Sequence, residues 1–236
     1  MTIYKLVLKE LKGLKIHFLV IVGINLLIMS YLRGKAGSPG VFLVSLIVLY
    51  TIIYVAIFIQ GFHIVKKEFD DWTIYLLLQL PINLEEILFS KFISVFIEGF
   101  SVAFVTSIIA SFFLMSFHQI SSLPTSVVVK MAIISGIAVF PVLTIFYPAF
   151  SVRMVTRKFS TILAFLTAAV SLYIDHLIYT ILSPLADKQI NVVTYSIENI
   201  ININVTLSLQ TLMFYIIVGT LSLFAGIWVI KKFNSL

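Results

Sequence analysis

The sequence predicts an all-α membrane protein with six transmembrane helices. An N-terminal amphipathic helix lies at the membrane interface, and a second amphipathic helix joins spans 2 and 3. Three observations carry this. The 236 residues are 61% hydrophobic and 11% charged, where soluble domains run near half apolar and a quarter charged. The apolar residues fall in six runs near the roughly 20 residues that cross a bilayer. Finally, the cations cluster in alternate loops. A water-soluble fold of this size cannot hide so much apolar surface. With no cysteine in the chain, disulfides, thiolate metal sites and a cysteine nucleophile are excluded. The net charge of +6 is explained by where the cations sit, so it does not point to nucleic acid.

Residues 2–15 are too charged to span. Ile3, Leu6, Val7, Leu11 and Leu14 share one side of a helical wheel, and Lys5, Lys9, Lys12 and Lys15 the other. This is the pattern of a helix lying on the membrane surface with its lysines toward headgroups. Glu10 interrupts the apolar arc. It either pairs with a neighbouring segment or marks the edge of a shallow interfacial helix.

The spans follow at about 16–32, 41–65, 88–117, 127–150, 159–182 and 208–230, a single transmembrane domain over residues 1–236. The turn-rich stretch from Arg33 to Gly40 separates the first two. Pro141 and Pro148 fall inside span 4, where they kink or unwind the helix toward its C-terminal half. Residues 183–207 are too apolar for a free loop, so they are expected to form a re-entrant or surface helix.

Orientation follows from Lys and Arg. Lys5, Lys9, Lys12, Lys15, Lys66, Lys67, Lys91, Arg153, Arg157, Lys158, Lys231 and Lys232 fall on one side, and Arg33, Lys35, Lys130 and Lys188 on the other. Twelve cations against four place both termini in the cytoplasm, which requires an even number of spans.

Several chemistries are excluded by motif. There is no G-x-x-x-x-G-K-[ST] phosphate loop, no H-E-x-x-H and no G-x-S-x-G. Glu85-Glu86 resembles the diacidic start of the glutamate-type intramembrane proteases, but their F-x-x-x-H and H-x-x-x-N motifs are both absent. No catalytic residue and no metal ligand set is assigned. The ionisable groups inside spans remain, because such groups are costly in lipid and are usually functional or paired. Glu98 lies seven residues beyond Lys91, roughly 10 Å deeper. It fits a translocation path or gate, or a buried structural pair. Asp175 and His176 read as a polar cap at the outer interface, and His63 as an interfacial residue.

The connector reads Lys66-Lys-Glu68-Phe69-Asp70-Asp71-Trp72-Thr73-Ile-Tyr-Leu76-Leu-Leu-Gln-Leu80-Pro81, then Asn83, Glu85, Glu86, Ile87 and Lys91. Phe69, Trp72, Leu76, Leu77 and Leu80 recur at helical spacing, predicting an amphipathic helix over 67–80 that Pro81 ends. Asn83 can cap the next helix.

This stretch resembles the cytoplasmic connector of the ABC-2 type transporter permeases. Their pattern is a Glu, a Gly-Thr, a Leu-Leu, a Pro, and a Lys about ten residues later. Glu68, Thr73, Leu77-Leu78, Pro81, Ile87 and Lys91 match, while Trp72 replaces the usual Gly. The order of amphipathic elbow, six spans and half-apolar outer loop is also similar to that family. The resemblance implies the membrane subunit of a bacterial ABC exporter in the plasma membrane. Glu68, Phe69, Asp70, Asp71, Trp72, Leu76 and Pro81 would form the coupling helix, docking on a separate ATPase subunit that holds ATP and Mg, with no cofactor in this chain. The implied partners are that ATPase, the lipid bilayer, and a second copy of the permease or a similar chain. An amphipathic peptide, lipid or drug-like molecule would be the cargo. The alternative is a secondary transporter or channel independent of an ATPase.

Overall fold

The computed structural model describes residues 3–70, 84–117, 123–155, 160–185, 189–197 and 201–234. Its helices are α1 (Ile3–Lys35), α2 (Pro39–Asp70), α3 (Leu84–Met115), α4 (Thr125–Ile137), α5 (Val139–Val155), α6 (Ser160–Ile181) and α7 (Leu209–Asn234). Among the described residues, six stretches are long and apolar enough to cross a membrane: Ile3–Lys35, Pro39–Ile64, Glu86–Met115, Thr125–Thr144, Ile162–Ile181 and Leu209–Lys232. Their outer surfaces agree with that. Phe165, Tyr173 and Ile181 on α6 and Phe224 and Trp228 on α7 are all exposed, a surface suited to hydrocarbon rather than water. The chain is a multi-pass membrane protein.

The expected break between an interface helix and span 1 is absent. Helix α1 runs unbroken for 33 residues, about 50 Å, against a hydrocarbon core of about 30 Å. No proline interrupts it, and Gly13 alone weakens a helix by only about 1 kcal/mol. Leu6, Val7 and Leu14 are buried, so packing against α3 extends the span into the basic segment. Span 2 behaves alike: α2 continues to Asp70, carrying helix past residue 67, where a separate helix was expected to open.

The α1–α2 turn is set by sequence. Ser38 Oγ accepts a hydrogen bond from the Val41 amide at 3.4 Å, and Pro39 takes the first helical position, where its missing N–H is harmless.

Helix α3 is the centre, with α1, α2, α4 and α5 all packed on it. Gly99 allows a close approach: a Cβ there would lie 2.8 Å from Val139 and 3.1 Å from Ile57. Phe92 stacks edge-on to Tyr147, and Phe96 edge-on to Phe140, joining α3 to α5. Phe58 and Phe62 of α2 meet Phe150 of α5. Helices α1 and α3 are parallel, because Glu10 meets Lys91 near their N-termini and Arg33 meets Ser116 near their C-termini. Helix α7 crosses α5 at Gly226, beside Tyr147 and Ser151.

Span 4 is broken, as its prolines predict. Helix α4 ends at Ile137 and α5 begins at Val139. Pro141 has no N–H to give the carbonyl of Ile137, and its ring clashes with that carbonyl. The break lies nearer the middle of the span than expected, while Pro148 is accommodated inside α5.

The segment before the last span corrects the expectation of a helix there, while the spans themselves are helical as expected. Strands β1 (Gln189–Ile197) and β2 (Ile201–Ser208) pair antiparallel, from Gln189↔Ser208 to Ile197↔Ile201, with a bulge between Asn191 and Val193. In β2, Ile201, Ile203 and Val205 alternate with Asn202, Asn204 and Thr206, the two-residue period of a strand rather than that of a helix.

Candidate functional site

The polar groups inside the bundle line up along α3. At the end holding the N-termini of α1 and α3, Lys91 Nζ lies 3.1 Å from Glu10 Oε1, and the Lys91 side chain is 3% exposed. This pairing explains the acidic residue in the apolar arc of α1. One turn on, Ser94 Oγ donates to Ser90 O at 2.8 Å and lies 3.5 Å from Val7 O. Deeper still, Asn25 Nδ2 donates to Thr106 Oγ1 at 3.2 Å, with both residues buried. At the far end Arg33 donates from Nε to Ser116 Oγ at 2.6 Å and from Nη2 to Ser116 O at 2.9 Å. Its guanidinium sits 3.6 Å from the centre of the Phe117 ring. From Lys91 to Ser116 this ladder covers 25 residues of α3, about 37 Å, the full thickness of the hydrocarbon.

Glu98 lies within the ladder but faces a different partner. Gln60 Nε2 of α2 donates to Glu98 Oε2 at 2.7 Å. Glu98 is 5% exposed, and its Oε1 has no hydrogen-bond partner. It also borders a cavity of about 340 Å³ between α1 and α3, whose lining includes Leu11, Lys12, Lys15, Phe18 and Ser101. A half-satisfied buried carboxyl is costly, and here it stands beside open volume. The sequence left Glu98 as either a gate or a structural pair, and the geometry contains elements of both.

A second cavity, of about 520 Å³, lies between α2, α3 and α4 toward the Arg33 end. Its walls are apolar, with Leu46, Leu114, Val127 and Met131 among them. Its polar patch is a hydroxyl chain. Tyr50 OH bonds Ser107 Oγ, and Ser107 Oγ lies 2.6 Å from Ser135 Oγ. Tyr54 OH donates to Ser135 O at 3.1 Å. Ser135 Oγ can in turn donate to Ala132 O at 2.9 Å, so the chain is satisfied internally.

Asp175 and His176 do not form a shared cap. Asp175 is buried, with Oδ2 unpartnered, while His176 is exposed on α6. Near them Gln210 Nε2 donates to Tyr179 O at 3.0 Å, tying α7 to α6. His63 is exposed near the end of span 2. Among the described residues no three His, Asp or Glu side chains converge on a point that could hold a metal ion.

Of the coupling residues, Glu68, Phe69 and Asp70 fall on the last turns of α2, and their side chains lie outside the described set. Asp71, Trp72, Leu76 and Pro81 fall in 71–83, outside the described residues. Sequence reasoning missed Gln60, Asn25 and the Tyr50–Ser107–Ser135 chain. The available signal was a lone amide or hydroxyl within a span, where an unsatisfied polar group is disfavoured. The chain matches no family model, no curated protein and no solved structure.

Proposed function

We propose that this protein is the membrane-spanning permease subunit of an ATP-driven exporter, with both termini cytoplasmic in a bacterial plasma membrane. The observation that carries a transport reading is Glu98: a carboxyl within a span, half-satisfied and bordering a cavity. Intramembrane carboxyls of this kind mark translocation paths. The ATP-driven part rests on the stretch from Glu68 to Lys91, which resembles a coupling connector, and on the absence of a phosphate loop in this chain.

A mechanism follows from where these pieces sit. The connector runs between the end of α2 at Asp70 and the start of α3 at Leu84. Gln60 is ten residues before Asp70, and Glu98 fourteen after Leu84, about 15 and 21 Å along their helices. Closure of a partner ATPase on ATP and Mg would push the connector. The push would reach α2 and α3 together and shear the one side-chain bond joining Gln60 to Glu98. Breaking it would free the carboxyl for cargo, with a second copy of the permease supplying the opposite wall.

Affinity purification in mild detergent tests this reading. The expected result is a co-purifying ATPase whose hydrolysis rate depends on the permease. Purified permease that transports cargo in vesicles with no ATPase present would overturn the ATP-driven reading in favour of a secondary transporter or channel.

A further inference from the structure

The Glu98 cavity carries more than a carboxyl. On its α1 wall, Lys12 and Lys15 stand one turn apart, both exposed. Residues at this spacing are neighbours on a helix surface. Among the described residues neither has a carboxylate within ion-pairing reach, since Glu10 is paired with Lys91. On the α3 wall Glu98 is buried, with Oε2 held by Gln60 and Oε1 unpartnered. Leu11 and Phe18 supply apolar lining between them. Positive and negative groups therefore border one volume of about 340 Å³, at the low end of ligand pockets. It suits a headgroup, while acyl chains remain in the bilayer.

The charges select among headgroups. Two ammonium groups beside lipid attract phosphate. A headgroup carrying only negative charge would satisfy the lysines and meet Glu98 with like charge. A quaternary amine has no N–H to offer Oε1. A phosphate joined to a primary amine satisfies both walls, with its phosphate against Lys12 and Lys15 and its amine donating to Glu98. We infer that the cavity between α1 and α3 is a binding site for the headgroup of an ethanolamine phospholipid, drawn from the leaflet at the Glu10–Lys91 end. This deepens the reading of the Glu98 cavity by naming what it takes. It rests on the membrane-spanning character of the chain and does not need the ATPase.

Native mass spectrometry of the full-length protein tests the inference, using protein released from mixed micelles holding equal phosphatidylethanolamine, phosphatidylcholine and phosphatidylglycerol. The wild type retains the ethanolamine lipid over the other two by roughly tenfold, the factor expected from one hydrogen bond to a charged group. Lys12→Gln with Lys15→Gln lowers retention of all three. Glu98→Gln brings the ethanolamine and choline lipids toward parity while leaving phosphate-dependent retention in place. Should Glu98→Gln fail to fold, the wild type offers an equal test with mono-, di- and trimethylated ethanolamine lipids, whose retention falls as N–H donors are lost. Equal retention of ethanolamine and choline lipids by the wild type would overturn the amine contact. A preference for phosphatidylglycerol would replace the site with an anionic one, and unchanged retention in the lysine variant would place lipid elsewhere. None of these readouts involves ATP, so they fail or succeed apart from co-purification of an ATPase.

Discussion

Replacing Gln60 and Glu98 by leucine, singly and together, separates what holds the bundle from what transport needs. Gln60 donates to Oε2 at 2.7 Å, and Oε1 already lacks a partner. Gln60→Leu leaves a buried carboxyl with neither oxygen bonded. An unsatisfied buried group costs about 1–3 kcal/mol, and more when charged, so the expected loss is roughly 3 kcal/mol. Glu98→Leu strands the Gln60 amide at roughly 1–2 kcal/mol, but it removes the orphaned Oε1 and adds apolar contact, leaving a net cost of about 0–1 kcal/mol. The double variant removes every unsatisfied atom and is expected to sit near the wild type. The coupling energy from this cycle, the two single losses less that of the double variant, is then about 3–4 kcal/mol. That is above the roughly 0.6 kcal/mol average for hydrogen bonds between membrane helices, because here the acceptor has a second oxygen already bare. The assay is unfolding in mixed micelles, with transport into vesicles alongside. Transport is expected to fall with Glu98→Leu despite its retained stability, the trade seen where a costly group is kept for function. A Glu98→Leu variant less stable than Gln60→Leu, or a coupling near zero, would refute the reasoning.

Three further outcomes are expected. Gly226→Ala places a Cβ 2.6 Å from Ser151 Oγ, whereas Gly23→Ala meets nothing within 4 Å; the first should lower the thermal midpoint by an overpacking cost of about 1–3 kcal/mol, less helix propensity, and the second should hold or raise it. Arg33→Lys cannot reproduce the two bonds to Ser116 or the stack on Phe117, so proteolysis between α1 and α2 should speed up, and an unchanged rate would show that the clamp contributes nothing. In this cysteine-free chain, Ser38→Cys should be labelled by an impermeant reagent on intact cells and Ser235→Cys should not; the reverse pattern would invert the orientation.

The spans were legible because an apolar run near 20 residues long has one cheap location, the bilayer. The break at Ala138 was legible because Pro141 removes a donor wherever it sits. Glu10 was visible as an anomaly, but its partner was not. Lys91 is 81 residues away, and only the parallel packing of α1 on α3 brings them together. Gln60 and the hydroxyls of Tyr50, Ser107 and Ser135 were hidden for a related reason. In a soluble helix the apolar stripe tells which face is buried. A span is apolar all round, so that stripe disappears. Central α3 and peripheral α6 look alike in sequence, although Val102 and Ala103 of α3 are fully buried and Phe165 and Tyr173 of α6 are exposed. The hairpin at 189–208 was misread because apolar content was weighed ahead of the alternation of Ile201, Ile203 and Val205 with Asn202 and Asn204.

The distribution of polar ties suggests how such a bundle could move. Helix α1 is fixed to α3 at both ends and in between, by an ion pair at Glu10–Lys91, an amide–hydroxyl bond at Asn25–Thr106 and the Arg33 clamp on Ser116 and Phe117. With rungs about two turns or more apart along the whole thickness, α1 cannot slide or tilt on α3 without breaking several at once. Between α2 and α3, among the described residues, the side-chain ties are Gln60–Glu98 and Tyr50–Ser107. Both lie next to cavities, where a displaced side chain finds room rather than a packed wall. A force entering through the connector, as the proposed coupling requires, would therefore meet unequal resistance. The α1–α3 pair responds as one body, and relative motion concentrates at α2. On this argument, Glu98 sits at the boundary between the stiff pair and the movable helix. At that boundary one hydrogen bond can be exchanged for a ligand contact without dismantling the core.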